Sequence, residues 1–203
     1  MLSWFPGQEG GAALADVLTG AHEARRPAAH HLGLLTAAPV TQVVPADGEL
    51  PYTEGVFIGY RAWEKEGRTP SYAFGHGLGY TDWTYESIEL GDGGAGSGVG
   101  AGSGTTTVTV RVRNSGARAG REVVQVYLAP VEADVERPAR WLAAFAGVEA
   151  GPGESVDVVL VLPRRAFEVW DESTGAWVFV KGSYEIAAGR SIVDRRVAAT
   201  INV

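Results

Sequence analysis

Two glutamates, Glu9 in "PGQEGG" and Glu54 in "PYTEG", are the carboxylates best suited by type and setting to acid/base chemistry. Each sits in a glycine- and aromatic-rich loop of the kind that lines sugar sites. A glycosidase needs such a pair held roughly 5 Å apart for retention, and farther apart for inversion. Sequence spacing does not supply that separation, and for Glu9 a structural role, accepting bonds from the backbone of its own turn, is the stronger reading. Three of the four histidines, His22, His30 and His31, fall in "HEARRPAAHHLGLL", residues 22–35, beside Arg25 and Arg26. Adjacent histidines point in different directions and no third ligand follows at metal-binding spacing, so the stretch makes a poor metal site. The fourth, His76, is bracketed by glycines in "YAFGHGLGYT" and reads as a buried, hydrogen-bonded histidine pinning a loop. Trp141, Trp170 and Trp177 could stack on sugar rings, but within the strands of a small sandwich such residues more often belong to core or inter-domain packing.

Composition narrows the options. The chain has 203 residues, 45% of them hydrophobic, which suffices for one comfortable domain or one domain plus a piece of another. A net charge of -7 argues against nucleic acid as a partner. No apolar run approaches the roughly 20 residues of a membrane helix, so no membrane partner is expected. "MLSWFPGQEGG" lacks the basic segment and apolar core of a signal peptide. The compartment stays undetermined, with the cytoplasm favoured. Cysteine is absent, which removes disulfides, thiolate nucleophiles and Cys-based zinc sites. The glycine spacing in "GDGGAGSGVGAGSG", residues 91–104, lacks the strand-to-helix setting of a nucleotide site. No catalytic residue, cofactor or metal ligand is assigned.

The elements that must position these residues are mostly strands. "TTTVTVRVRN" alternates with period two, Val108, Val110 and Val112 on one face and Thr109, Arg111 and Arg113 on the other. "EVVQVYLAP", "RWLAAFAGVEA", "SVDVVLVLP", "AFEVWD", "AWVFVKG", "SYEIAAGR" and "RRVAATINV" follow, with turns at 114–120, 151–154 and 172–175. Regular short strands over about a hundred residues predict a mainly β fold, a Greek-key β-sandwich, with "DWTYESIEL" supplying an edge strand. The 91–104 tract reads as a flexible loop, joining the first two strands rather than linking domains. Upstream, "AALADVLTG" predicts a short helix stopped by Gly20, and "GVFIGYRAW" a strand. One helix and one strand enclose no core, so this part must lean on the sandwich or on something else.

Several stretches in order, "WFPGQEGGAALADVLTG", "YTEGVFIGYRAW", "PSYAFGHGLGYTDWTYESIEL", "VRNSGARAGREVVQVYLAP", "LAAFAGVEAGPGES" and "VWDESTGAWVFVKGSYEIAAGRS", resemble the C-terminal part of glycoside hydrolase family 3. The resemblance implies a parent with a TIM-like barrel, an α/β-sandwich domain and a fibronectin type III-like (immunoglobulin-like) sandwich. Residues 1–82 are then a remnant, helix plus strand, of the α/β-sandwich domain, and 83–203 the fibronectin-like domain. The family mechanism is retaining hydrolysis of O-glycosyl bonds by a barrel aspartate and a glutamate upstream of "PGQEGG". Neither position lies in this chain, so the expectation is a β-glucosidase-like portion that is inactive alone and braces the missing barrel and α/β domains, its possible partners. A glycoside is then a substrate of the full-length parent only. The alternative is a non-catalytic sandwich module that binds carbohydrate or protein. A truncated domain should expose apolar surface around Leu14, Val17 and Leu18, whereas a binding module should display solvent-facing aromatics.

One segment departs from the resemblance. The family carries a motif like P-x-G-R-L-P-x-T-W after the helix ending in "DVLTG", where this chain has "ARRPAAHHLGLL" from Ala24. If Ala24 to Gly33 are encoded as GCC CGG CGG CCG GCT GCC CAC CAC CTG GGC, reading one base later gives Pro-Gly-Gly-Arg-Leu-Pro-Thr-Thr-Trp. The expectation is a frame-shifted segment, restored before "PVTQV" by a second shift, packing as an exposed irregular loop.

Overall fold

The computed structural model describes residues 7–23, 44–92, 105–132 and 135–203. Among the described residues two short helices, α1 (Gly10–Thr19) and α2 (Tyr60–Glu66), precede nine strands. These are β1 (Trp83–Asp92), β2 (Thr105–Asn114), β3 (Gly120–Pro130), β4 (Trp141–Ala150), β5 (Ser155–Pro163), β6 (Glu168–Asp171), β7 (Ala176–Phe179), β8 (Ser183–Gly189) and β9 (Arg195–Asn202). A 3-10 turn, Arg164–Phe167, joins β5 to β6.

Seven strands make two antiparallel sheets, β1-β2-β5 and β4-β3-β8-β9, and β6-β7 form a separate hairpin. The connections β2 to β3 and β4 to β5 switch sheets, so this is the expected Greek-key sandwich. β1 is an edge strand, paired with β2 from Trp83↔Asn114 to Asp92↔Thr106. Residues 93–104 of the glycine-rich tract, between β1 and its partner β2, lie outside the described residues.

The alternation has the expected consequence. Val108, Val110 and Val112 are fully buried, facing the interior with their β5 partners Leu160, Val158 and Val156. Val124, Val126 and Leu128 of β3 and Tyr184 and Ile186 of β8 close the core from the other sheet, and Phe167 plugs one end. Each such side chain contributes about 1.5–3 kcal/mol by leaving water.

At the opposite end, Asn114 satisfies a turn that has no regular ladder. Its Oδ1 accepts from Thr81 Oγ1 (2.6 Å) and Gly116 N (3.1 Å), while Nδ2 donates to the carbonyls of Arg118 (2.7 Å) and Ala150 (2.9 Å). A fully buried amide persists only when it is paired in this way.

α1 ends where the sequence says it should, with Gly20 at φ 77° and its N–H on Val17 O. The strand expected over "GVFIGYRAW" is not formed, which also corrects the remnant from helix plus strand to two helices. Gly55 (φ 54°) and Gly59 (φ 56°) both adopt left-handed backbone, so residues 53–56 form a turn and α2 begins at Tyr60. In α2 the spacing Tyr60, Trp63 serves a helix face instead of one side of a strand.

Candidate functional site

β3 is buried on both faces, and its outer face receives the upstream segment. Tyr127 packs there with Ala73 and Ile192, joined by Tyr60, Phe74 and Leu142. Gln125, 3% exposed, holds the arrangement: Nε2 donates to Gly75 O (3.1 Å) and Arg190 O (2.5 Å), and Oε1 accepts from Tyr127 Oη (2.6 Å). A Cβ on Gly75, whose φ is 85°, would collide with that amide. Farther along the seam, Leu142 N donates to Tyr60 Oη (3.1 Å), and Arg140 pairs with Glu64 (3.0 Å), both largely shielded from water.

Among the described residues, α1 is tied to the sandwich by its C-terminal end; none of its own residues is buried. Tyr80 Oη donates to Val17 O, and Arg118 Nη2 donates to Gly20 O at 3.1 Å. Glu23 then accepts from Tyr80 N through Oε1 and from Arg121 N through Oε2, each at 2.8 Å. Its carboxylate lies against Gly79 and Gly120, two glycines that leave room for it.

A buried ionic group lies on the same strand. Glu122, 7% exposed, pairs with Arg190 at 2.9 Å and accepts from Val123 N at 2.9 Å. Burial raises its carboxyl pKa above the ordinary value, against the opposing pull of Arg190. Burial, reinforced by the Glu122 charge, also raises the nearby Tyr85 phenol, whose hydroxyl is buried without a partner among the described residues. Asp194 moves the other way, held down first by its hydrogen bond from Arg196.

The two candidate acid/base carboxylates lie in separate turns. Glu9 occupies the N-cap position of α1 without a side-chain cap bond, its backbone carbonyl taking Ala13 N–H. Glu54 sits in the 53–56 turn, with Oε2 buried and unpartnered among the described residues. No hydrogen bond or ion pair links either carboxylate to another side chain among those residues. His76 is half-buried; its backbone N–H closes a turn on Ala73 O (3.0 Å), and its ring lies 5.2 Å from that of Tyr72. The pin of that loop is Gln125, which sequence reasoning missed because a polar residue in "EVVQVYLAP" reads as an ordinary solvent-facing position. His30 and His31, with Arg25, Arg26 and the expected irregular loop, lie outside the described residues. Among the described ones no group of three His, Cys, Asp or Glu side chains could hold a metal.

Trp141 is core, 8% exposed, its Nε1 on Ala166 O. Trp170 and Trp177 are not: they face each other across the β6-β7 hairpin at half exposure, ring centroids 5.4 Å apart. The apolar surface expected on α1 is present at Leu14 and Leu18 (71% exposed), with Val17 half-buried, and Tyr52, Ile58 and Leu78 of the upstream segment are exposed as well.

The three-on-four Greek key defines a fibronectin type III-like sandwich, and residues 122–192 match the family model described as "Fibronectin type III-like domain". Over 98% of its length the chain is 38% identical to a β-glucosidase of Rhizobium radiobacter, and over 99% it is 36% identical to an exo-α-(1→6)-L-arabinopyranosidase of Bifidobacterium breve. It covers 24% and 26% of those proteins. Among solved structures, the GH3 β-glucosidase of Bifidobacterium adolescentis superposes with a TM-score of 0.89 at 32% identity, over all of this chain and 29% of that one. The chain belongs to glycoside hydrolase family 3, corresponding to the C-terminal, fibronectin-like portion of its β-glucosidases. It spans about a quarter of the length of the curated relatives it matches.

Proposed function

We propose that this chain serves as the bracing portion of a β-glucosidase-like glycoside hydrolase, contributing docking surface instead of catalytic groups. The catalytic carboxylates belong to the barrel and α/β domains of such an enzyme. One observation carries the reading: α1 is anchored to the sandwich by its C-terminal end while Leu14 and Leu18 stay in water. An amphipathic helix held in place with its apolar side uncovered is half of an interface. The boundary proposed at 82/83 separates the sandwich from a segment that is itself bonded to β3, so the two act as one platform.

The test is complementation in trans. A Rhizobium radiobacter β-glucosidase lacking the part this chain matches is mixed with this chain, and aryl β-glucoside hydrolysis is followed. Recovered activity that Leu18→Asp abolishes supports the reading; no association and no recovery reject it.

A further inference from the structure

The chain buries Trp63, Trp83 and Trp141 to 8% exposure or less, yet leaves Trp170 at 50% and Trp177 at 47% side by side. They are direct cross-strand partners, so they share one face of a two-stranded hairpin that belongs to neither sandwich sheet. The hairpin is braced by the turn before it. Arg165 lies 3.5 Å from the centre of the Trp177 ring and Arg164 lies 4.5 Å from that of Phe179, and Glu168 binds both guanidinium groups. At the tip Asp171 takes hydrogen bonds from Ser173 N, Ser173 Oγ and Thr174 Oγ1, which fixes the turn. The two rings meet edge to face, 63° apart, and with Arg165 on one face of Trp177 they still stay half in water, at a hydration cost those contacts only partly remove.

Position separates this ridge from the α1 surface. Glu23 meets the sandwich at the start of β3, whereas the hairpin emerges beside the β5 end and the β8 start, where Val180 N bonds Phe167 O. These are opposite ends of the sandwich, because β8 runs antiparallel to β3 and pairs Tyr184 with Pro130. The ridge is therefore not a continuation of the docking helix.

We propose that the Trp170–Trp177 ridge is an accessory binding surface for β-linked gluco-oligosaccharides. The C–H faces of a β-glucosyl residue are apolar and flat enough to lie on an indole, and its equatorial hydroxyls need planar donors at the rim. The Arg165 guanidinium, stacked on Trp177 with Nη1 on Glu168 and its side chain 53% exposed, keeps further N–H donors for such hydroxyls. A preformed, stiff aromatic surface loses little entropy on binding, which favours weak but real association with a rigid ring. The choice of a β-glucoside as ligand rests on the functional reading above; the existence of a ridge does not.

The experiment uses the 203-residue chain and cellohexaose, reading indole N–H signals by NMR, with Trp170→Phe and Trp177→Phe to assign them. Expected are saturable shifts of the Trp170 and Trp177 signals at millimolar sugar, with the Trp141 signal unmoved, and a loss of affinity of about tenfold in Trp170→Ala. Trp170→Phe should keep part of the affinity. Absence of shifts, or an affinity that Trp170→Ala leaves unchanged, overturns the proposal. So does concentration-dependent self-association abolished by Trp170→Ala, which would make a second copy the occupant. Perturbation of the two signals by the truncated hydrolase instead of the sugar would make the ridge a domain contact and reject it as well. Because cellohexaose is titrated against the isolated chain, failure of complementation leaves this readout intact.

Discussion

Glu23 and Arg121, 98 positions apart in sequence, meet through a hydrogen bond of 2.8 Å from the Arg121 backbone N–H to the Glu23 carboxylate. The other carboxylate oxygen holds Tyr80 N at the same distance, so one side chain links the exit of α1, the entry to β1 and the start of β3. Charge-assisted bonds of this kind are worth more than neutral ones, and half-burial discounts them. Glu23→Ala is expected to destabilise the chain by about 1–2 kcal/mol in urea unfolding and to speed amide exchange in α1. Glu23→Gln should lose less, keeping one acceptor. Unchanged exchange in α1 would show that the helix is held by something else.

Gln125 should matter more than its place in a strand suggests. Replacing it by Ala strands the carbonyls of Gly75 and Arg190 and the Tyr127 hydroxyl in a region closed to water. Unsatisfied buried groups of this sort cost roughly 1–3 kcal/mol each, and relaxation recovers part. A loss of about 2–3 kcal/mol is expected, measured as a lower urea midpoint at unchanged slope. A loss under about 0.5 kcal/mol would mean that the 72–76 loop is not fastened there.

Two carboxyls of the same region should titrate with opposite effect. The Glu122 pKa is raised in the fold from its ordinary 4.5, so the folded state binds its proton more tightly than the unfolded one. Its contribution is fully present below pH 4.5 and is lost as the pH rises through the higher folded value. Asp194 is lowered from 3.8, so its contribution is present above pH 3.8 and disappears as the pH falls through its folded value. Between neutral pH and about 4.5, acidification should therefore widen the stability advantage of the unaltered chain over Glu122→Gln. Below 3.8 it should narrow the advantage over Asp194→Asn. Parallel stability curves for the chain and Glu122→Gln would refute the first part.

Hydrolysis is not expected from this chain by itself. Glu9 and Glu54 have no bonded carboxylate partner among the described residues, and without a nucleophile no glycosyl-enzyme forms. Purified material should turn over neither aryl β-glucosides nor aryl β-xylosides. Turnover that persists through purification and disappears in Glu54→Gln would reverse this.

How much of this was legible follows from where the deciding contacts lie. The alternation of Val108, Val110 and Val112 and the turns at 151–154 and 172–175 are local, and they specified the sandwich. "GVFIGYRAW" misled because Val56, Ile58 and Tyr60 alternate as in a strand, while the left-handed backbone of Gly55 and Gly59 leaves no trace in hydropathy. Glu23 and Gln125 were missed for another reason. Their backbone partners sit 50 to 98 residues away, and polar side chains in a loop or strand carry no mark of a distant carbonyl or amide. The tryptophans needed the fold to divide them into one core residue and an exposed pair.

The last prediction concerns the gene. The contacts that fasten α1 to the sandwich run through Val17, Gly20 and Glu23, and Glu23 is the last residue before the segment where the family motif is missing. A chain selected to dock as far as Glu23 has every reason to continue in the same register. If Ala24–Gly33 are encoded by the codons given above, the one-base-later reading restores Pro-Gly-Gly-Arg-Leu-Pro-Thr-Thr-Trp directly after Glu23. Resequencing codons 22–40 is expected to reveal a shift near codon 24 and a second, compensating one before Pro39. A version carrying the restored motif should unfold at higher temperature than the present chain, since a segment fitted to this position adds burial that an unselected one does not. Sequencing that confirms the present frame, with no shifted reading that yields the motif, would end the idea. Tight zinc binding lost in His30→Ala and His31→Ala would oppose it from the protein side.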